Sequence, residues 1–269
     1  MDTAHDSSAA VFVASSDNTR DVFIRVFPSV LRHWPGCRYP IYAGFNRPFA
    51  AGHGFTPVYA PTSGWRDELA AQLEQVRADH VLMLLDDFLF LRDVDADRVT
   101  ELMELAGRRD LPYLRLIPVR RAFLARFARW LCRAEAKLEP VPESDPYYSA
   151  LQAVIWRRTY LLECLRLEKN IWKFEELHPP AGEHYAVSSH APISYRHVVE
   201  KGRWLPDAGW LLRRAGLEDE LGNRLRWPWS YHARRCAGLL WFEIFGYSLM
   251  RLRRVRASLR GRLGTLGRS

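Results

Sequence analysis

Residues 9–14 form an unbroken apolar run that stops at the polar cluster Ser15-Ser16-Asp17-Asn18, the pattern of a buried strand with a loop at its carboxyl end. Val22, Phe23, Val26, Phe27, Val30 and Leu31 then recur at helical spacing until Pro35-Gly36, which predicts an amphipathic helix and its stop. A short strand over 39–43 completes a β-α-β unit. Leu69, Leu73 and Val76 share one face of a second helix, expected over 65–77, which feeds the run Val81-Leu82-Met83-Leu84-Leu85. That run has no polar alternation, as a parallel strand covered on both faces requires, and it ends abruptly in Asp86-Asp87. Farther along, the pattern predicts a helix over 99–106, strands over 113–117 and 148–155, and a helix over 158–167. Segments 170–180 and 195–206 are rich in Trp, His and Glu and read as binding loops. The alternation of strands and helices predicts an α/β fold.

Composition narrows this little. With 269 residues, 48% of them hydrophobic, the chain can bury the core of one large domain or two small ones. The net charge of +8 comes almost wholly from arginine, since only Lys137, Lys169, Lys173 and Lys201 are lysines; no nucleic-acid partner is expected from it. Cys37, Cys132, Cys164 and Cys236 are widely spread, with no CxxC pair, as in reduced, cytosolic proteins. The opening residues 1–8 lack the basic start and apolar run of a secretory signal. No window reaches the roughly 18 to 20 apolar residues of a spanning helix.

The chemistry begins at the strand that ends in two aspartates. Carboxylates at a strand's carboxyl end, where α/β folds place ligands, can share a hard divalent cation with phosphate oxygens; adjacent loop carboxylates also simply cap turns. A strand, the loop Ser15 to Asn18, a helix, a helix begun by Trp65, then 81–85 and Asp86-Asp87-Phe88 together resemble the nucleotide-binding half of GT-A glycosyltransferases. The chain is also similar to bacterial transferases of surface-polysaccharide assembly (lipopolysaccharide, O-antigen, capsule), which share an Asp-Asp-Phe strand end. The resemblance spans about residues 9–205. It implies a GT-A-like α/β/α sandwich with a Rossmann-like nucleotide-binding half, a nucleotide-sugar donor held by Ser15, Ser16, Asp17, Asn18 and Asp86, and Mg²⁺ or Mn²⁺ on Asp86 and Asp87. Asp86-Asp87-Phe88 departs from a strict DxD at its third position.

In Asn170-Ile171-Trp172-Lys173-Phe174-Glu175-Glu176, a carboxylate beside aromatic residues suits a general base for an acceptor hydroxyl. The aromatic neighbours supply a stacking face and a drier setting that raises the carboxylate pKa. Glu175 or Glu176 fits that role, with Trp172 and Phe174 as acceptor contacts. In Ser194-Tyr195-Arg196-His197 and Lys201-Gly202-Arg203-Trp204, His197 is a candidate third metal ligand, and Arg196 and Lys201 are candidates to neutralise a departing diphosphate. Arg66, just inside the Trp65 helix, is a further phosphate candidate.

The last stretch places aromatic and aliphatic residues over 227–250 ahead of Arg251, Arg253, Arg254, Arg256, Arg260, Arg262 and Arg268, with no acid after Glu243. That is the composition of a monotopic anchor on anionic lipid. The expectation is therefore a catalytic domain over 1–230 and a helical, basic membrane-associating tail over 231–269. Such an enzyme would be cytoplasmic, peripheral on the inner face of the plasma membrane, and would move a sugar, with inversion, onto a lipid-linked saccharide. A metal-dependent phosphoesterase or nuclease would also use Asp86-Asp87, and the tail alone fits a non-catalytic membrane-binding module.

Overall fold

The computed structural model describes residues 8–48, 54–61, 64–119, 138–143, 145, 147–168, 170–179, 182–218 and 221–241. The strands are β1 (Ala9–Ala14), β2 (Ile41–Phe45), β3 (Thr56–Tyr59), β4 (His80–Leu85), β5 (Phe88–Phe90), β6 (Tyr113–Arg115), β7 (Leu138–Pro140), β8 (Val154–Arg157), β9 (His184–Val187), β10 (Tyr195–His197), β11 (Val199–Glu200) and β12 (Arg203–Trp204). The helices are α1 (Arg20–His33), α2 (Trp65–Glu74), α3 (Ala96–Arg108), α4 (Arg158–Leu167), α5 (Ile171–Phe174), α6 (Ala208–Arg214) and α7 (Trp229–Trp241).

Eight strands make one mixed sheet in the order β3-β2-β1-β4-β8-β6-β9-β7. The first four are parallel to one another, while β8 runs against both β4 and β6. The expected α/β class is the observed one, and its reason is visible along β4. Leu82 and Leu84 point into the core shared with Phe23, Phe27 and Val30 of α1 and Val99 and Leu102 of α3. Val81 and Met83 point into the opposite core, with Leu69 and Leu73 of α2 and Leu161 and Leu165 of α4. Two helical layers thus sandwich the sheet, and a strand covered on both faces is apolar along its length, here from Val81 to Leu85.

The boundaries shift where packing outweighs pattern. The second strand begins at Ile41 instead of 39, and the strand expected from 148 forms only over Val154–Arg157, because Tyr147 to Ser149 form a turn held by the bonds described below. A third apolar cluster gathers Val22 and Val26 of α1, Leu89 of β5, and Val198, Trp204, Ala208, Leu211 and Leu212. It seats the small module of β11, β12 and α6 against α1 and β5, next to the carboxyl ends of β1 and β4. The segment 120–133 and the tail beyond 241, including Phe242 and every arginine from Arg251 on, lie outside the described residues. Helix α7 begins at Trp229 and so runs across position 231, where the tail was expected to start. No helix among the described residues is long and apolar enough to cross a membrane.

Candidate functional site

From β1 the chain moves outward to β2 and β3 and then returns to the other side of β1 as β4. The carboxyl ends of β1 and β4 therefore flank a topological switch point, the place where open α/β sheets bind their ligands. Their register pairs Ala14 with Leu85, so the next residues of each strand meet: Ser15 Oγ donates to Asp86 Oδ2 at 2.8 Å. The loop that follows β1 and the aspartates that follow β4 form one site for that reason.

Asp86 is partly buried. Burial pushes its carboxyl up to about 7, the charge of Asp87 adds to the rise, and bonds from Thr19 and Ser15 and the Arg224 charge oppose it. Asp87 is partly open and accepts from His197 Nδ1 at 2.9 Å. His197 arrives by strand pairing: β10 lies antiparallel to β5 with His197 opposite Phe88. Tyr195 stacks on Phe88 at 3.7 Å, and the His197 ring meets its edge at 4.9 Å. The buried third residue of Asp86-Asp87-Phe88 is thus an aromatic floor that fixes β10, and through it His197.

Glu175 closes the group. Its carboxyl is raised by burial, while a backbone bond from Leu151 and the charge of His197 pull the other way. Its backbone is pinned, since Ser149 N–H donates to Glu175 C=O at 3.0 Å and Ser149 Oγ to Leu177 C=O at 2.7 Å. The Ser149 loop is fixed in turn by the buried pair Arg115–Asp145 at 3.2 Å, with Arg115 Nη1 on Tyr147 C=O and Tyr147 N–H on Asp145 Oδ1. Glu176, one residue on, is exposed.

No sequence family and no curated protein matches this chain. Several solved structures do. S. aureus TarS 1-349 aligns with 70% of this chain and 59% of its own length, at 11% identity and a TM-score of 0.43. The 2-C-methyl-D-erythritol 4-phosphate cytidylyltransferase of Thermus thermophilus aligns with 78% of this chain and 99% of its own, at 13% identity and 0.44. The bifunctional glycosyltransferase WbbM, in its apo structure, aligns with 62% and 35%, at 16% identity and 0.34. Scores this low carry no residue role across, so the site stands on its own geometry.

The remaining candidates from the sequence are placed as follows. Asp17 is the knot of the β1 loop: its Oδ1 accepts from Arg20 Nη2 at 2.6 Å and from the N–H groups of Asn46 and Arg47, while Asn46 Oδ1 accepts Asp17 N–H at 2.8 Å. Ser16 shares a hydroxyl bond with Thr19, and Asn18 offers its carbonyl to Arg224. Trp172 lies on α5, but its side chain is outside the described set. Phe174 is corrected: it has no open face for a sugar, because it is wholly buried against Trp65, at 5.5 Å edge-on, and beside Trp156. The position was read as a platform from its neighbours, whereas the α2–α4 core takes the ring.

Arg66 turns into the groove between α2 and α4, near Leu162 and Leu165, and pairs with Asp67 at 2.7 Å. Arg196 is half exposed, 3.9 Å from Asp207. Lys201 and Gly202 both have positive φ, 49° and 73°, the signature of the tight two-residue turn that joins β11 to β12. Among the described residues no group of three or more His, Cys, Asp or Glu side chains is arranged to hold a metal ion. Asp86 and Asp87 are the residues that would hold a hard divalent cation, for which one or two carboxylates suffice when the ion keeps its waters. Arg224, Arg115, Asp145 and Ser149 went unnoticed in the sequence. None sits in a local motif, and the Arg224–Asp21 contact spans 203 positions.

Proposed function

We propose that this chain transfers a sugar from a nucleotide-sugar donor to a hydroxyl of a saccharide acceptor, with inversion. The observation that supports this best is the junction of Ser15, Asp86 and Asp87 at the switch point, with the half-buried Glu175 under the influence of the His197 charge. The loop after β1, at the switch point, suits a nucleotide, with Ser15 to Asn18 toward the base and ribose. Asp86 and Asp87 would hold Mg²⁺ or Mn²⁺ on the donor diphosphate, and such a cation would neutralise the charge gathering on the leaving group. His197 orients the Asp87 carboxylate through its 2.9 Å bond.

Glu175 takes the proton of the acceptor hydroxyl as that oxygen attacks the anomeric carbon. The bond to the diphosphate breaks, and its electron pair leaves with the nucleoside diphosphate. Glu175 suits this better than Glu176, because burial raises its carboxyl toward working pH while its backbone is held by Ser149. A thermal-shift screen of nucleotides and nucleotide sugars, with and without Mn²⁺, tests the donor half, since a ligand bound to the native state raises the midpoint. A metal-dependent shift by one nucleotide family is expected; no shift by any of them overturns the reading.

Asp17→Ala should raise the donor KM more than it lowers kcat, because the knot it ties positions groups remote from the reacting carbon. Initial-rate kinetics against donor concentration check this, and a pure kcat loss would place Asp17 in the chemistry instead.

The acceptor is proposed to be lipid-linked, and residues 231–269 to hold the enzyme on anionic membrane. Removing 251–269 should release it. Seven arginines near an anionic surface contribute on the order of 1 kcal/mol each, and the intact chain should detach partly at high salt. Co-sedimentation with vesicles of graded anionic lipid is the measurement. Equal binding by full-length and shortened chains would remove the anchor.

A further inference from the structure

The segment 221–228 that leads into α7 is tied down along β12. Trp204 N–H donates to Leu225 C=O at 3.0 Å and Trp227 N–H to Trp204 C=O at 2.8 Å. The Trp227 indole donates to Glu200 C=O at 2.9 Å, carries the Arg203 guanidinium 4.7 Å over its ring, and stacks at 4.0 Å on Tyr231 in the first turn of α7. This arm is a rigid base.

From that base Arg224 reaches across to Asn18 in the loop after β1 and to Asp21 in the first turn of α1. Its Nε donates to Asp21 Oδ2 at 2.8 Å and its Nη2 to Asp21 Oδ1 at 2.5 Å, a two-pronged grip on the carboxylate. Nη2 also bonds the Asn18 carbonyl, and Nη1 donates to Gly202 C=O at 2.9 Å. The side chain is only 14% exposed, and the same guanidinium holds the Asp21 carboxyl below the usual carboxylate range. One planar group thus joins three segments: the β1 loop, the β11–β12 turn and the arm. Its donors are directed at protein acceptors, which makes it a fastener of the loop.

We infer that Arg224 is the positioning residue of loop 15–21, latching it to the arm that carries α7 and so setting the pose in which Ser15 meets Asp86 and a donor nucleotide is received. The latch follows from the contacts alone; its effect on a nucleotide rests on the function proposed above. Through it, whatever fixes α7 also fixes the loop at the switch point.

The test uses full-length protein and four variants: Arg224→Ala, Arg224→Lys, Asp21→Ala and the Arg224→Ala/Asp21→Ala double. Amide hydrogen exchange is read first, without nucleotide. Exchange across 15–21 should quicken about tenfold or more in either alanine variant, with β1 and β4 unchanged, and the double should be no faster than Arg224→Ala, which already removes the Asp21 contact along with the bonds to Asn18 and Gly202. Arg224→Lys keeps the charge without the fork and should fall between wild type and alanine. Wild-type exchange in 15–21 for Arg224→Lys and Asp21→Ala overturns the latch, as does additive behaviour in the double.

Affinity for UDP, GDP, CDP and ADP with Mg²⁺ is read second. The diphosphate that wild type binds should bind about tenfold more weakly to both alanine singles. Weakening by Arg224→Ala with none by Asp21→Ala overturns the positioning role and puts the guanidinium on the phosphate. Quickened loop exchange in a chain that binds none of the four upholds the latch and overturns the nucleotide reading.

Discussion

Asp87→Ala is expected to lower turnover about a thousandfold at saturating donor, the scale of losing a preorganised group that stabilises transition-state charge. The fold should barely notice. It is the backbone of Asp87, whose carbonyl accepts from Leu89 and Val198 N–H, that carries the strand junction, and the side chain contributes the bond to His197. Circular dichroism and turnover on the same preparation separate the two effects; a variant that keeps its rate removes Asp87 from the site. Asp86→Asn should be as inactive, yet more stable. The folded carboxyl of Asp86 is pushed up to about 7 from 3.8, so the ionised form is penalised by folding. For a raised group, stability is complete below the unfolded pKa and is lost as pH rises through the folded one. Asparagine escapes that loss, which is at most about 4 kcal/mol at 1.36 kcal/mol per pH unit. In chelator, its melting point should match wild type near pH 4 and exceed it by several degrees above pH 7, at about 2–4 °C per kcal/mol. Parallel melting curves at all pH values would mean Asp86 is not desolvated.

Glu175→Gln should cut kcat by about 10² to 10⁴, the usual general-base contribution, with donor affinity unchanged and Glu176→Gln close to wild type. The pH profile carries the same sign. A base must be deprotonated, so the rate falls as pH drops through the Glu175 pKa, which burial holds above the ordinary carboxylate range. The acid limb should therefore lie above that of a free glutamate and vanish in the Gln variant. Activity that survives in both Gln variants would take the base role from this segment and favour a retaining route. A stability difference is also expected: the raised carboxyl of Glu175 loses stability as pH rises, so Glu175→Gln should melt higher at neutral pH than at acid pH relative to wild type.

The frame of the protein is legible along the chain. The uninterrupted apolar run of β4 and the 3.6-residue spacing of α1 are local consequences of being covered on two faces or on one, so the α/β class and the strand that ends in Asp86-Asp87 could be read directly. Ser15 and Asp86 could be named as polar strand ends, and Glu175 as a carboxylate among aromatics. Tertiary structure decided which of these meet. The Ala14–Leu85 register joins Ser15 to Asp86, the β5–β10 pairing carries His197 to Asp87, and burial separates Glu175 from Glu176. The same packing turned Phe174 into core and made Arg224 a fastener of a loop 203 positions away. Such contacts leave no periodic trace, because the chain stores a helix or a strand in neighbouring residues but stores a meeting between distant loops only in the register of the sheet that brings them together.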